Sequence, residues 1–348
     1  MGSEALVYKA DDRSLLLPAY RRWLIEPLLP LIPRSVTPNA ITHTGHLLNL
    51  VGTATLLALW PKRGWPFAFA AVLVQLYIWC DNVDGAHARR TGQCSALGEL
   101  LDHGLDSLNV AYISFLSALV LSAPPMWWIA VTLLISGAAS LTYWEQTKTG
   151  VFRLGMLNQI ESGVLLSIFL LVVAVLGTDI VHTPLALGIT VGSAMLLWTA
   201  AQIGVGMLRS ITRVGRAAGV GAILPAVVLV AIGIAILAVA SVGALSTVAA
   251  VTVGTAVNVF FAMRMLLVRL RRDTPRAEPL VVGGAFALAV LALWKIASPA
   301  GAPPVEPTSF VVALAACGAF GLQTLRDVRE AATILERTEP RRSATAAE

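Results

Sequence analysis

The chain has 348 residues, 57% of them hydrophobic and only 13% charged, with a net charge of +5. Soluble domains carry about 25% charged residues, so this composition excludes a soluble globular protein and implies a polytopic membrane protein. The basic excess contains no long run, which argues against a nucleic-acid partner and leaves Arg placement to report topology.

Residues 1–14 lack an apolar core, so no cleavable signal peptide is expected. Residues 1–39 turn from polar to amphipathic. Leu15, Leu16, Leu17, Trp23, Leu24, Leu28 and Leu29 interleave with Arg13, Arg21, Arg22 and Glu26. Such a helix suits a membrane interface or the protein's own cytoplasmic face. Ten apolar segments of spanning length follow, at 40–60, 65–88, 97–121, 126–146, 160–178, 184–207, 218–241, 244–267, 279–297 and 308–325. Pro, Gly or charge marks most boundaries, the weakest being near Val242-Gly243. The predicted fold is all-α: a polytopic helical bundle of about ten transmembrane helices behind an N-terminal amphipathic helix.

With a cytoplasmic N-terminus, this layout puts 22 of the 25 Lys and Arg residues on the cytoplasmic side. The predicted organisation is a cytoplasmic segment 1–39, a catalytic core 40–210, a C-terminal four-helix part 211–326 and a disordered tail 327–348. Cys80, Cys94 and Cys317 form no CxxC pair and no zinc pattern. Cys80 and Cys317 are expected to be packed thiols, and Cys94 a bystander.

Asp81 to Asp106 reads DNVDGAHARRTGQCSALGELLDHGLD. Asp81 and Asp84 are three apart, and Asp102 and Asp106 four apart. On helices either spacing puts both carboxylates on one face. Apolar runs lie on both sides, so four acids crowd the ends of two spanning segments. One charge deep in a bilayer costs about 2.5–3.5 kcal/mol, and four together also repel. A bound cation is therefore expected, and oxygen ligands select hard ions such as Mg²⁺, Mn²⁺ or Ca²⁺. By charge alone, two Mg²⁺ would balance four carboxylates.

Asp81, Asp84-Gly85, Ala88-Arg89, Gly98, Asp102 and Asp106 stand in an order and spacing that resemble the CDP-alcohol phosphotransferase signature. Thr37-Pro38-Asn39-Ala40-Ile41-Thr42 is similar to the element before the first spanning helix of these enzymes. Residues 88–107, the N-terminal YKADDRSLL, Trp144-Glu145, Thr149-Gly150, Asn158 and Glu161-Ser162-Gly163 resemble the choline/ethanolamine phosphotransferase subgroup, with Ala96 where that subgroup has Pro.

The resemblance implies Asp81, Asp84 and Asp102 as metal ligands, and Asp106 as ligand and general base; spacing alone leaves the four interchangeable. It also implies Asn39, Gly85, Ala88, Arg89 and Gly98 around the nucleotide and phosphates. Glu145, Glu161 and Trp144 are weighed as headgroup contacts against solvated acids in an aromatic belt. His103 is weighed as an orienter of a neighbouring aspartate against helix packing.

The implied reaction moves phosphoethanolamine or phosphocholine from a CDP-alcohol to the hydroxyl of a diacylglycerol-type lipid and releases CMP. One rival reverses the roles, with CDP-diacylglycerol as donor and a small polar acceptor. A rival of another class is a cation transporter, which would scatter acids through mid-membrane segments. The active site is expected to face the cytoplasm. Arg outnumbers Lys 21 to 4, which favours a GC-rich bacterial source and its plasma membrane over the endoplasmic reticulum. A homodimer is compatible with the pattern.

Overall fold

The computed structural model describes residues 10–60 and 63–271, with the single positions 326 and 329. The expected spans 279–297 and 308–325, Cys317 and, but for Arg329, the tail 327–348 lie outside the described residues.

The other eight expected spans are helices. They are α2 (Pro38–Leu59), α3 (Trp65–Thr91), α4 (Ala96–Val120), α5 (Pro125–Thr149), α6 (Gln159–Leu176), α7 (Val191–Ala218), α8 (Leu224–Ser241) and α9 (Thr247–Arg271). The chain is an all-α polytopic membrane protein. Among the described residues, six stretches are long and apolar enough to cross a membrane: α3, α5, α6, α7, α8 with its preceding turn, and α9. Helices α2 and α4 have spanning length, at 22 and 25 residues. Their apolar character is diluted by His43, His46 and Asn49 on α2 and by Glu99, Asp102 and Asp106 on α4. Apolar side chains stay exposed on outer faces, among them Leu50 and Leu57 on α2, Ile168 and Val175 on α6, and Leu197 and Leu208 on α7. In lipid such a surface meets its own kind.

Local signals place the helix ends. Thr37 caps α2 by accepting from the Ala40 amide at 3.3 Å, and Pro38 occupies the first turn. Gly92, at φ +74°, closes α3 in the left-handed conformation that few other residues adopt cheaply. Asn158 and Glu161 form a reciprocal capping box at the start of α6. The weak boundary near Val242-Gly243 is a turn, with Gly243 at φ +73°.

Two expectations need correction. The N-terminal region is not one long amphipathic helix, because Pro18, Pro27, Pro30 and Pro33 interrupt it. It forms α1 (Leu17–Tyr20), a π-helical turn (Arg21–Ile25) and a 3₁₀ turn (Leu29–Leu31), preceded by strand β1 (Ala10–Asp12). Tyr20 and Ile25 pack on α3, while Trp23 and Leu31 face outward. Trp79 donates to the Leu24 carbonyl at 2.8 Å and Arg90 to the Ile32 carbonyl at 2.5 Å. Strand β1 pairs in parallel with β2 (Phe152–Leu154), so a short two-stranded sheet clasps the N-terminus to the loop after α5.

The expected span 184–207 also starts too early. Pro184–Ala186 (β3) and Ile189–Thr190 (β4) form a hairpin around Leu187-Gly188, both at positive φ. Helix α7 begins only at Val191.

Helix α2 lies closely against α3. A Cβ on Gly45 would sit 2.7 Å from the Cys80 Cβ, so the missing side chain sets this approach. Helix α4 runs beside α2, α5 and α9, and α8 and α9 share a large apolar core with α5.

Candidate metal and phosphoryl-transfer site

Asp81 and Asp84 project from the last turns of α3, and Asp102 and Asp106 from the first turns of α4. The hairpin made by Gly92 and the short loop to Ser95 brings the two helix ends together. Ser95 accepts from the Gly98 amide at 2.9 Å and so starts α4. One carboxylate oxygen each from Asp81, Asp102 and Asp106 lies within 4.8 Å of the others.

Asp84 is buried next to this group and is held differently. Thr42 donates to its Oδ2, and the Gly85 amide to its Oδ1, each at 2.5 Å. Three of the four expected ligands therefore converge in one constellation, with the fourth beside them.

The donor set is oxygen only, which suits a hard divalent ion. Asp102 Oδ1 is buried without a hydrogen-bond partner. Among the described residues no Lys or Arg reaches ion-pairing distance of the four aspartates; the neighbours at that range are His46, 3.6 Å from Asp106 Oδ1, and His103, 3.9 Å from Asp102 Oδ2. An acid cluster in an apolar bundle, with no Lys or Arg paired to it among the described residues, fits a bound metal.

The expected nucleotide and phosphate residues surround this group unevenly. Arg89 is exposed one turn beyond Gly85, where a Cβ would stand 3.4 Å from its guanidinium. Gly98 lies beside Asn39, whose Oδ1 would be 3.5 Å from a Cβ there. The start of α2 thus meets the start of α4. Ala88 is buried.

The candidate headgroup residues are engaged in structural contacts. Glu145 is 1% exposed and takes a bidentate pair from Arg213 at 2.5 and 2.7 Å and a third contact from Arg153 at 3.2 Å. Arg153 also approaches Asp11 at 3.9 Å. A hydrogen bond from Arg13, helped by Arg153, holds the Asp11 carboxyl below its ordinary range. Glu161 closes its capping box and also accepts from Ser14 at 2.6 Å and from the Leu16 amide at 2.8 Å. Trp144 is fully buried. His103 stacks on Phe152 with centroids 5.5 Å apart and lies 5.6 Å from the Tyr143 ring.

Sequence reasoning missed several supports. Tyr77 donates to Asp106 Oδ1 at 2.8 Å, and Gln159 donates to the Tyr77 oxygen at 2.9 Å. His46 packs its ring 5.2 Å from that of Tyr77. Tyr77, Asp81 and Asp84 follow at i, i+4 and i+7, so helical spacing alone could have put Tyr77 on the reactive face. Gln159 carries no such signal, because α6 joins the site only in three dimensions. Glu99 forms an ion pair with Arg269 across α4 and α9.

Residues 35–205 match the family model described as CDP-alcohol phosphatidyltransferase. The chain is 33% identical over 183 residues to cholinephosphotransferase 1 of Gallus gallus, covering 50% of this chain and 53% of that protein. It is 29% identical over 183 residues to cholinephosphotransferase 1 of Xenopus laevis, covering 50% and 44%. It is 34% identical over 167 residues to a CDP-diacylglycerol–serine O-phosphatidyltransferase of Encephalitozoon cuniculi (strain GB-M1), covering 45% and 42%. The chain thus spans about half the length of the curated relatives it matches. The matched region holds every residue of the acid constellation, and residues 35–205 belong to the CDP-alcohol phosphatidyltransferase family.

Proposed function

We propose that this protein transfers phosphocholine or phosphoethanolamine from a CDP-alcohol to the hydroxyl of a diacylglycerol-type lipid, releasing CMP. The observation that carries the reading is the convergence of Asp81, Asp102 and Asp106 at signature positions, with Asp84 adjoining. These four would hold Mg²⁺ or Mn²⁺, two ions in our reading. Such ions, when bound, offset the charge of the pyrophosphate and of the oxygens entering and leaving phosphorus.

The chain's own residues do the rest. Arg89 and Asn39 bind the phosphates and nucleotide, and Gly85 and Gly98 leave room for them. Asp106 takes the proton of the acceptor hydroxyl as that oxygen bonds to the phosphorus bearing the alcohol. The bond from this phosphorus to the bridging oxygen breaks, and CMP leaves. The 40–210 stretch is the catalytic part in this account, and α8 and α9 pack against its α5.

We place the site on the cytoplasmic side of a bacterial plasma membrane, from the Arg distribution and the Arg-rich composition. Cys94 is exposed in the loop beside the motif, which makes it a native reporter. In a Cys317→Ser background it should react with an impermeant maleimide only from the cytoplasmic side. Labelling from outside would reverse the topology.

The serine-transferring relative favours a second reading, in which CDP-diacylglycerol is the donor and a small polar alcohol the acceptor. Purified protein should be given CDP-choline, CDP-ethanolamine and CDP-diacylglycerol, each with suitable acceptors, and CMP measured. CMP from the first two with diacylglycerol supports the proposal. CMP from CDP-diacylglycerol alone replaces it with the second reading, and no CMP from any donor overturns both.

A further inference from the structure

We infer that Tyr77 and Gln159 form a two-step hydrogen-bond relay that fixes the orientation of the Asp106 carboxylate, making both positioning residues for the reaction. The inference rests on the role proposed above for Asp106.

The donors run in one direction. Gln159 Nε2 donates to Tyr77 Oη at 2.9 Å, and Tyr77 Oη donates its single proton to Asp106 Oδ1 at 2.8 Å. A neutral amide and a phenol can satisfy this order without any charged partner. Tyr77 is 2% exposed and packs among Ile41, Ile78 and Cys80, so its ring cannot swing away. The His46 ring packs against it from α2. With Oδ1 engaged by Tyr77, and Asp81 also bonded to the group, rotation of the carboxylate is restricted.

Gln159 is itself anchored. It is the first residue of α6, between the capping residues Asn158 and Glu161. Glu161 in turn accepts from Ser14 and from the Leu16 amide of the N-terminal clasp. A continuous set of hydrogen bonds and covalent steps thus joins the clasp to Asp106, across three elements that share no sequence motif. Hydrogen bonds to a charged group are the stronger class and lose most when one partner is removed.

The test uses the full chain in detergent or nanodiscs. Tyr77→Phe keeps the ring and its packing and removes only the hydroxyl. It should lower kcat about 10- to 100-fold while leaving KM for CDP-alcohol near the wild-type value. Gln159→Leu, at an exposed position that no core depends on, should lower kcat about fivefold. The double variant should lose less than the product of the two single losses, because the step from Gln159 to Tyr77 is shared, although Gln159 also bonds to Asp81. Mn²⁺ binding followed by electron paramagnetic resonance gives a readout independent of turnover. Affinity should weaken in the same order, with the same lack of additivity.

An unchanged kcat in Tyr77→Phe would overturn the relay. So would single losses that multiply in the double variant, or losses confined to KM. If no donor yields CMP but the Mn²⁺ pattern holds, the relay stands and the proposed reaction falls.

Discussion

Glu145 and the aspartates of α3 and α4 are acids within one apolar bundle, yet their surroundings differ in kind. Glu145, on α5, is sealed from solvent and neutralised from within by Arg213 of α7 and Arg153 of the β2 strand. Asp102 and Asp106 keep 28% and 16% of their side-chain surface, and among the described residues only histidines stand at ion-pairing distance of them. A buried acid paired by guanidinium is a structural joint. Acids clustered without such a partner, and left partly open, are a place prepared for a charge from outside. The contrast teaches how to sort acidic motifs in membrane bundles: the decisive observation is where the compensating charge comes from.

The sharpest way to break this comparison is chelation. EDTA should abolish CMP release, and Mg²⁺ or Mn²⁺ should restore it, whereas an acid centre neutralised by the protein itself would be indifferent. Full turnover in chelator would remove the distinction.

Asp106→Asn comes next. It keeps shape and an oxygen ligand and removes the proton acceptor, so turnover should fall about 10²–10⁴-fold with CDP-alcohol binding kept. Full rescue by excess Mg²⁺ would make Asp106 a ligand and not the base. Asp81→Asn should weaken metal and nucleotide binding as well as rate.

On the other side of the comparison, Glu145→Gln strands two partly exposed guanidiniums. Solvent reaches both, so we expect a loss of about 1–3 kcal/mol, below that of a fully buried pair. The readout is a lower melting temperature in detergent, with turnover per folded molecule close to wild type. A large rate loss at unchanged stability would return Glu145 to the headgroup role weighed from sequence.

The smallest effect sharpens the geometry. Gly45→Ala puts a methyl 2.7 Å from the Cys80 Cβ, an atom that cannot move without the helix. Overpacking of this kind costs about 1–3 kcal/mol. Because α2 carries Thr42 and His46 to the site, thermal stability and turnover should fall together. Unchanged stability and rate would show that α2 has room to shift.

Much of this was legible in the sequence, and what was not has physical causes. Helices α2 to α9 declared themselves through apolar length and Pro or Gly punctuation, and the four aspartates through order and spacing. The stretch 184–190 read as helix because PLALGIT is apolar, and hydropathy cannot separate a short hairpin from a helix start. The N-terminal helix was overdrawn because leucine content outweighed four prolines. Glu145 looked available because its neutralising arginine lies 68 residues away on α7. Tyr77 was within reach of helical spacing, but Gln159 was not, because its bond to Tyr77, 82 residues away in the chain, exists only once α3 and α6 pack.

The most direct test of the central claim is calorimetric titration of Mg²⁺ into the full-length protein and into Asp102→Asn and Glu145→Gln. The account predicts binding to the wild type, loss or marked weakening in Asp102→Asn, and wild-type affinity in Glu145→Gln. Equal Mg²⁺ binding by wild type and Asp102→Asn, or loss in Glu145→Gln alone, would contradict it.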